Sequence, residues 1–535
     1  MLGESNVSLI ESLELSHRAM VEGRDIPWLL SQWVEKTPDK PFLIWCPFEG
    51  EERTWTYLQM SREVEAVAAS LVKRGVVAGD RVLIHLDNSP EFVISWFACA
   101  RMGAVAVSTN TRCVARDVSY FADHASVVAA ITQPAFAELV HDCAPGIRFL
   151  AVTDHDAGQP TEIPEAVPHV PYAELLAEQD PCPVRDIDPF ANLGIQFTSG
   201  TTSRPKAVLW THANAIWGAQ MNAAHMRLSG DDITLAFLPL FHTNAQSYSM
   251  LGSLWVGGSI VVQPRFSASR FWPVARKHKC TWSSLIPFCV KALLTREPPA
   301  DHSFRFWGPA VRMMDVEETY GIKTIGWWGM TETITQGIVG DIDHPDVPLS
   351  IGRVSPGYDI EIRHPDGSYI KPGERGLLYI RGVRGVSLFK EYFDNPDANA
   401  NAFDDDGWFE TGDLIIMDET GGLFFGDREK DMLKVGAENV AASEVEAVIL
   451  ETGLVSECAV VGQKHYMLDE VPVVFVIPQA GAPDNLAEQI IETCRKNLAD
   501  FKVVREVFVV DELPRSTLEK IAKNELRERL PTIEA

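Results

Sequence analysis

Between Ser61 and Ser108 the chain switches repeatedly between two periodicities, and that alternation restricts the fold more than any other feature. "SREVEAVAASLVKRG" sets Val64, Val67, Ala68, Leu71 and Val72 on one helical stripe and closes at Gly75. "RVLIHL" follows as a short strand, "SPEFVISWFACARMG" as a helix closed by Gly103, and "AVAVS" as a second strand. Apolar residues at helical spacing, then short apolar runs, with glycine where each helix must stop, describe consecutive strand–helix units. Units of this kind continue over about the first 270 residues. They predict layered α/β structure with largely parallel sheets.

The pattern then changes twice. Between about 350 and 426, short alternating strands such as "YDIEIR" and "GLLYIRG" are separated by "HPDG" and "KPGERG", which predicts a small β-rich subdomain. From about 429 onward, "ASEVEAVILET", "CAVVG", "VPVVFVIP", "NLAEQIIETCRKNL" and "REVFVV" read as helix, strand, strand, helix, strand. That order fits a compact α+β domain of roughly 100 residues, an ordinary domain size. The expectation is a large N-terminal α/β domain over 1–428, its β-rich subdomain at about 350–426, and a small C-terminal α+β domain over 429–535. The boundary falls in the charged stretch "GDREKD". A chain of 535 residues needs such a division, because one core rarely grows beyond about 250–300 residues.

Charge narrows the function. Lys plus Arg is 47 and Asp plus Glu is 74, a formal net charge of −27. That field opposes sequence-independent nucleic-acid binding and attachment to anionic membranes, so a polyanionic substrate must meet locally placed cations. The nine cysteines are scattered and never spaced C-x-x-C, which suits a reducing compartment better than a disulfide framework or zinc site. The N-terminal "MLGESNVSLIESLELSHRAM" has acidic residues and no apolar core, so it does not read as a signal peptide. "FVISWFACARMGAVAVS" is interrupted by Arg101 and is too short to span a bilayer. A cytoplasmic protein is the expectation.

The chemically richest stretch is "FTSGTTSRPKAV", Phe197 to Val208. Tested against the Walker pattern GxxxxGK[ST], Gly200 and Lys206 fit, but Pro205 replaces the second glycine and Ala207 the metal-binding hydroxyl. Proline has no N–H to offer a phosphate. The residues after the lysine, "AVLWTH", alternate like a strand, whereas a Walker loop opens a helix. The alternative is a hydroxyl-rich hairpin in which Thr198, Ser199, Thr201, Thr202 and Ser203 supply donors and Lys206 the charge. On composition alone, a solvated polar turn between two strands stays open.

"TSGTTSRPKAV" resembles the signature TSGTTGxPKGV of the adenylate-forming enzymes: acyl-CoA synthetases, aryl-CoA ligases, peptide-synthetase adenylation domains and luciferases. The resemblance extends along nearly the whole chain. "LPLFHTNA" (238–245) is similar to the segment bordering the acyl pocket, and "GWWGMTET" (326–333) to the aromatic-G-x-T-E segment. "GWFETGDL" (407–414) and "GDREKDMLKVGAENV" (426–440) resemble the ribose and hinge segments, and "LPRSTLEKI" (513–521) the C-terminal P-x-T-x-x-G-K segment. Motifs in the right order and spacing are far more specific than any one alone.

The resemblance implies ATP, Mg²⁺ and coenzyme A, and a reaction in two halves. A carboxylate attacks the ATP α-phosphorus and expels pyrophosphate; a thiol then attacks the acyl-adenylate and expels AMP. Positioning and stabilisation of phosphate charge dominate such chemistry. Thr198, Ser199, Gly200, Thr201, Thr202 and Lys206 would hold the triphosphate. Trp328 stands where the family usually has a tyrosine stacked on adenine, while Trp327 reads as ordinary packing. Thr331 would bond the α-phosphate and Glu332 would hold Mg²⁺, the metal site, since Mg²⁺ is commonly held by one or two carboxylates plus phosphate oxygens. Asp413 would accept the ribose hydroxyls, with Arg428 beside the same ribose. "WGPA" (307–310) falls at the adenine-side loop.

Lys430 marks the hinge about which a mobile C-terminal domain would rotate between half-reactions. Lys520 is the catalytic lysine the resemblance implies, bridging substrate carboxylate and α-phosphate; Lys523 reads instead as solvated. Gly436 and Ala437 would line the pantetheine entry. His242 borders the acyl channel, grouped with the catalytic residues. Phe241-His242 lacks the aspartate that pairs an α-ammonium in amino-acid-activating relatives, so an acid without that group is favoured.

Four small-residue positions depart from the family pattern: Ser203, Ala207, Ala437 and Glu519. Glycine there would permit positive φ or close approach, and another residue forced left-handed costs roughly 1–2 kcal/mol. The leading expectation is an ATP-dependent acid–CoA ligase acting on a small carboxylic acid, with no nucleic acid and no membrane span. The alternative passes the acyl group to a separate carrier protein. A luciferase-like oxygenase and a non-catalytic nucleotide-binding protein are more distant readings, and a homodimer is left open.

Overall fold

The computed structural model describes residues 9–113, 115–198, 205–299, 301–428, 432–435, 438–465, 468–498, 500–515 and 521–532. The described chain divides into a larger compact unit, carried by the residues before 199 with Pro205–Ile360 and Ile380–Phe409, and a smaller one, carried by Glu361–Tyr379 and the residues from Glu410 onward.

The strand–helix units lie in the larger one. Thr56 caps the helix Tyr57–Lys73 through a capping box with Gln59, satisfying two of the amide groups that a helix start leaves free. Val64, Val67, Ala68 and Leu71 are buried on its core stripe, with Val72 half-buried. Pro90–Met102 starts at the Ser89 cap and stops at Gly103, whose φ of +86° is left-handed. Within it only Arg101 escapes burial, and it reaches Glu65 at 2.8 Å. A helix apolar on every side belongs inside the layers. No helix among the described residues is long and apolar enough to cross a membrane.

Two sheets form the layers. One runs in the order Glu391–Tyr392, Lys206–Thr211, Asn192–Thr198, Val105–Ser108, Arg81–His85, Val127–Thr132, Leu150–Val152, Val170–Pro171. The other runs Arg353–Val354, Ile338–Val339, Lys323–Trp328, Phe306–Ala310, Trp282–Ser284, Ile233–Ala236, Ser259–Val262, Pro41–Trp45, Arg53–Thr56. Both are largely parallel, as read from the sequence, with antiparallel strands at their margins. Their interiors are parallel, while the ladders 192–198 with 206–211, 41–45 with 53–56, and 323–328 with 338–339 are antiparallel. The short connections there leave no room for the crossover that a parallel pair requires. Leu83, Val107, Ile195 and Leu209, each at most 1% exposed, meet in the core over the first sheet.

The smaller unit carries most of a sheet ordered Asp359–Arg363, Arg375–Arg381, Phe409–Met417, Leu423–Arg428. A second sheet runs Glu438–Ala441, Met432–Val435, Asp469–Pro478, Val455–His465, and Val507–Val509 pairs parallel with Asp469–Pro478. With the helices Ala442–Glu451 and Leu486–Asn497, this is the helix–strand–strand–helix–strand order read from the sequence. Lys523, read from the sequence as solvated, is a correction. Its ammonium lies 2.9 Å from Glu446 Oε1 with the side chain only 12% exposed, an ion pair rather than a solvated lysine. All nine cysteines are free and buried.

Candidate active site

Two antiparallel strands flank the hydroxyl-rich stretch. Asn192–Thr198 returns antiparallel as Lys206–Thr211, with Thr198 opposite Lys206 and Phe197 opposite Ala207. Lys206 therefore opens a strand, and the next helix waits until His212, capped by Thr211. A Walker loop is excluded by that order. Ser199, Gly200, Thr201, Thr202 and Ser203 lie outside the described residues. Ala207 is buried in the strand and its carbonyl accepts the Phe393 N–H at 2.8 Å. It sits in extended backbone, so this replacement of a family glycine carries no left-handed strain.

Two charged residues of the prospective site meet on one tyrosine. The Lys206 ammonium lies 4.6 Å from the centre of the Tyr392 ring. The hydroxyl of that ring donates to Glu332 Oε1 at 3.0 Å. Burial, reinforced by the Glu332 carboxylate, pushes the Tyr392 phenol far above its ordinary range, so it stays a donor. Glu332 is 3% exposed. It sits in the short turn Thr331–Thr333 after the strand Lys323–Trp328, and its carbonyl accepts the Phe389 N–H at 2.8 Å. Nothing in "KEYFDNP" marks Tyr392, so sequence reasoning missed it.

Thr331 is tied into a polar chain the sequence did not reveal. Trp210 Nε1 donates to the Thr331 carbonyl at 2.9 Å, and the Thr243 and Thr331 hydroxyls lie 3.1 Å apart. The Thr243 hydroxyl also reaches Gln196 Oε1 at 2.7 Å, and Gln196 Nε2 donates to Gln246 Oε1 at 2.7 Å. Hydrogen bonds thus join the strand Asn192–Thr198, the LPLFHTNA segment and the TET turn. Buried, connected polar groups hold one another in a single arrangement. Next to Glu332, Ile334 has φ +63°, and Ala310, ending the WGPA strand, has φ +75°. Such backbone persists only where its surroundings impose it.

His242 is half-buried, its ring edge-on to Phe241 at 4.6 Å. After it, Asn244–Leu251 forms a π-helix, a rare geometry that often marks functional sites. Asn244 Oδ1 and Ser284 Oγ in this region are buried without hydrogen-bond partners among the described residues. Trp327 and Trp328 are both buried, at 6% and 5% exposure. Trp327 packs edge-on to Tyr248 at 5.8 Å, the packing role read for it.

In the smaller unit, Asp413 is 4% exposed. Its N–H donates to Thr411 Oγ1 at 3.1 Å, and that hydroxyl donates to the Leu378 carbonyl at 2.8 Å. Arg428 is the register partner of Asp413 across the ladder. The Arg428 side chain, Lys430, Gly436, Ala437, Glu519 and Lys520 lie outside what is described.

Comparison with known proteins gives the family. Residues 30–393 match the family model "AMP-binding enzyme" and residues 444–520 that of the "AMP-binding enzyme C-terminal domain". Crotonobetaine/carnitine–CoA ligase of Salmonella typhimurium (strain LT2) is 32% identical over 507 residues, covering 91% of this chain and 96% of that one. O-succinylbenzoate coenzyme A synthetase (MenE) from Bacillus subtilis, in complex with ATP and magnesium ion, superposes with a TM-score of 0.81 at 26% identity, over 93% of this chain and 99% of that one. The anthranilate CoA ligase AuaEII, in complex with anthranoyl-AMP, gives a TM-score of 0.83 at 25% identity over 94% and 97%. The chain belongs to the AMP-binding enzyme family. Within it, the chain is of the adenylate-forming acyl-CoA synthetase type, an AMP-forming acid–thiol ligase.

Proposed function

We propose that this ATP-dependent acid–CoA ligase, which uses ATP, Mg²⁺ and coenzyme A, organises its first half-reaction around Lys206, Tyr392 and Glu332. The observation that carries the reading is the single buried phenol serving both a cation and a carboxylate beside the hydroxyl-rich turn. A buried carboxylate is a hard oxygen donor of the kind Mg²⁺ takes, so Glu332 fits that ion. When bound, Mg²⁺ offsets phosphate charge. Lys206, with Thr198, Ser199, Gly200, Thr201 and Thr202, would hold the triphosphate; Thr331 would bond the α-phosphate and Trp328 stack on adenine. Asp413 and Arg428 would take the ribose.

The substrate carboxylate then attacks the α-phosphorus and pyrophosphate leaves, with Lys520 neutralising the charge that gathers on the reacting oxygens. In the second half the CoA thiol attacks the acyl carbonyl and AMP leaves. Residues 429–535 would turn at Lys430 to bring Gly436 and Ala437 to the pantetheine. His242 and the unpartnered oxygens of Asn244 and Ser284 favour an acid with a polar acyl part, because a buried acceptor left unpaired is costly. A reducing, cytoplasmic setting suits nine free buried cysteines.

The test is pyrophosphate release from MgATP across polar, aromatic, alicyclic and linear acids, with and without CoA, using Lys520→Ala as control. Release confined to one acid class, an acyl-CoA product and collapse in the variant are expected. A thioester formed only on an acyl carrier protein would reassign the acceptor. Pyrophosphate release unaffected by Lys520→Ala would remove the lysine from the mechanism.

A further inference from the structure

Away from the residues assigned above, Cys46, Glu52 and His278 converge. Their Sγ, carboxylate and imidazole atoms all lie within 4.8 Å of one another. Cys46 Sγ is 3.3 Å from His278 Nε2, and the same Nε2 is 3.2 Å from Glu52 Oε2. The three come from distant parts of the sequence. Cys46 directly follows the strand Pro41–Trp45, Glu52 lies just before Arg53–Thr56, and His278 caps the C-terminus of the helix Ala268–Lys277. Arg270 of that helix donates to the carbonyls of Pro47, at 2.8 Å, and Phe48, at 3.3 Å, which fixes the turn against the helix.

A nucleophile–base–carboxylate relay is ruled out by which nitrogen is used. Such a relay places the nucleophile on one imidazole nitrogen and the orienting carboxylate on the other. Here sulfur and carboxylate both approach Nε2, which carries either one proton or one lone pair. One nitrogen cannot serve both as a good neutral hydrogen-bond partner. A cation between the three atoms serves all of them. Around a tetrahedral Zn²⁺, with Zn–S about 2.3 Å and Zn–N or Zn–O about 2.0–2.2 Å, donor atoms lie roughly 3.4–3.6 Å apart. The observed 3.3 and 3.2 Å separations are close to that spacing.

We propose that Cys46, Glu52 and His278 form a binding site for a thiophilic divalent cation of the Zn²⁺ class, tying the 46–52 turn to the end of the helix Ala268–Lys277. The donor set suits it: thiolate and imidazole select Zn²⁺ over Mg²⁺, and three protein ligands leave a fourth position for water. The helix C-terminus at His278 adds the negative end of the helix dipole. His278 is 14% exposed and Glu52 32%, so solvent supplies an entry path. Two features resist the ion. Lys277 Nζ occupies Glu52 Oε2 at 2.7 Å, but its side chain is 60% exposed and free to turn outward. Burial, with the Glu52 carboxylate close by and accepting from the thiol, pushes the Cys46 thiol up to about 12. Coordination must therefore expel the thiol proton to solvent, leaving thiolate on the metal with no change of oxidation state.

The experiment titrates the full-length, chelator-treated enzyme, free of ATP and Mg²⁺, with Co²⁺ and Zn²⁺. Expected are one tightly held metal per chain, a thiolate-to-cobalt charge-transfer band, proton release on binding, and a raised unfolding midpoint with Zn²⁺. Cys46→Ser should abolish the band, and His278→Gln should weaken binding by more than about 100-fold, exceeding the usual cost of an outer-shell change. Cobalt held at Glu332 gives no thiolate band. A band that survives Cys46→Ser, or Zn²⁺ affinity unchanged in His278→Gln with its native circular dichroism retained, overturns the assignment. So does the absence of stoichiometric binding by the wild type.

Discussion

Asp413 and Arg428 face each other as register partners across the antiparallel ladder of Phe409–Met417 and Leu423–Arg428. A bulge follows at once, between Leu414 and Ile415, where the pairing shifts. The ladder therefore fixes the backbones of two prospective ribose contacts as its terminal pair, beside a bulge, and Thr411 accepts the Asp413 N–H. Bulges re-aim side chains at strand ends in this way.

Asp413→Asn is expected to raise KM for ATP by roughly 10- to 100-fold, since hydrogen bonds to a charged group are worth about 1.5–3 kcal/mol. It should also erase discrimination against 2′-deoxy-ATP, because a site built to bond a hydroxyl penalises its loss. Kinetics with both nucleotides decide the point. An unchanged preference would detach Asp413 from the ribose.

Tyr392 separates two interactions that one substitution series can resolve. Tyr392→Phe keeps the ring beneath Lys206 but removes the donor to Glu332. Apparent Mg²⁺ affinity during pyrophosphate release should fall about tenfold, the size of one charge-assisted hydrogen bond. Tyr392→Leu should fall further, having lost a cation–π contact worth about 0.5–2 kcal/mol as well. Equal behaviour of Phe and wild type would mean that the hydroxyl does not support Glu332.

What the sequence made legible, and what it hid, follows from range. The hairpin at 192–211 was readable because proline, lysine and strand alternation are local signals. The caps at Thr56 and Ser89 and the stop at Gly103 are equally local. Tyr392 and Glu332 are 60 positions apart and meet only after the sheet forms. The antiparallel pairs 41–45 with 53–56 and 323–328 with 338–339 were not read for the same reason: strand direction depends on which neighbour a strand finds. Lys523 looked like surface because nothing near it in sequence announces Glu446.

Gly308 shows a contact of this kind through a glycine. A Cβ built there would lie 1.6 Å from Trp327 Cη2, deep inside van der Waals contact. Trp327 is 6% exposed and braced by Tyr248, so the ring has little room to yield. Gly308→Ala should destabilise by at least about 1–3 kcal/mol, the usual cost of overpacking. Adding Trp327→Leu should restore part of that loss, and urea unfolding midpoints for the single and double variants measure it. Additive losses would show that the indole is not what Gly308 accommodates.

His85 gives the fold an acid-sensitive point. It is fully buried, with Nδ1 2.9 Å from the Thr109 hydroxyl, its ring edge-on to Phe136 at 5.1 Å, and Nε2 without a partner among the described residues. Burial disfavours the imidazolium and pulls the pKa down to about 4, against about 6.5 for an unfolded chain. Between those values the unfolded state binds the extra proton, so stability rises with pH. The contribution is fully present above about pH 6.5 and is lost as pH falls toward 4, about 3 kcal/mol in all. His85→Gln removes this one titration. The wild-type free energy of unfolding should change with pH more steeply than the variant's, by up to about 1.4 kcal/mol per unit, in urea series between pH 6.5 and 5. His155 does not confuse the comparison: burial lowers its pKa, but the Glu91 carboxylate and its other acidic neighbours outweigh that and leave it raised, so its linkage operates above this window. Parallel curves for wild type and variant would mean that His85 takes up its proton in the folded state as readily as in the unfolded one.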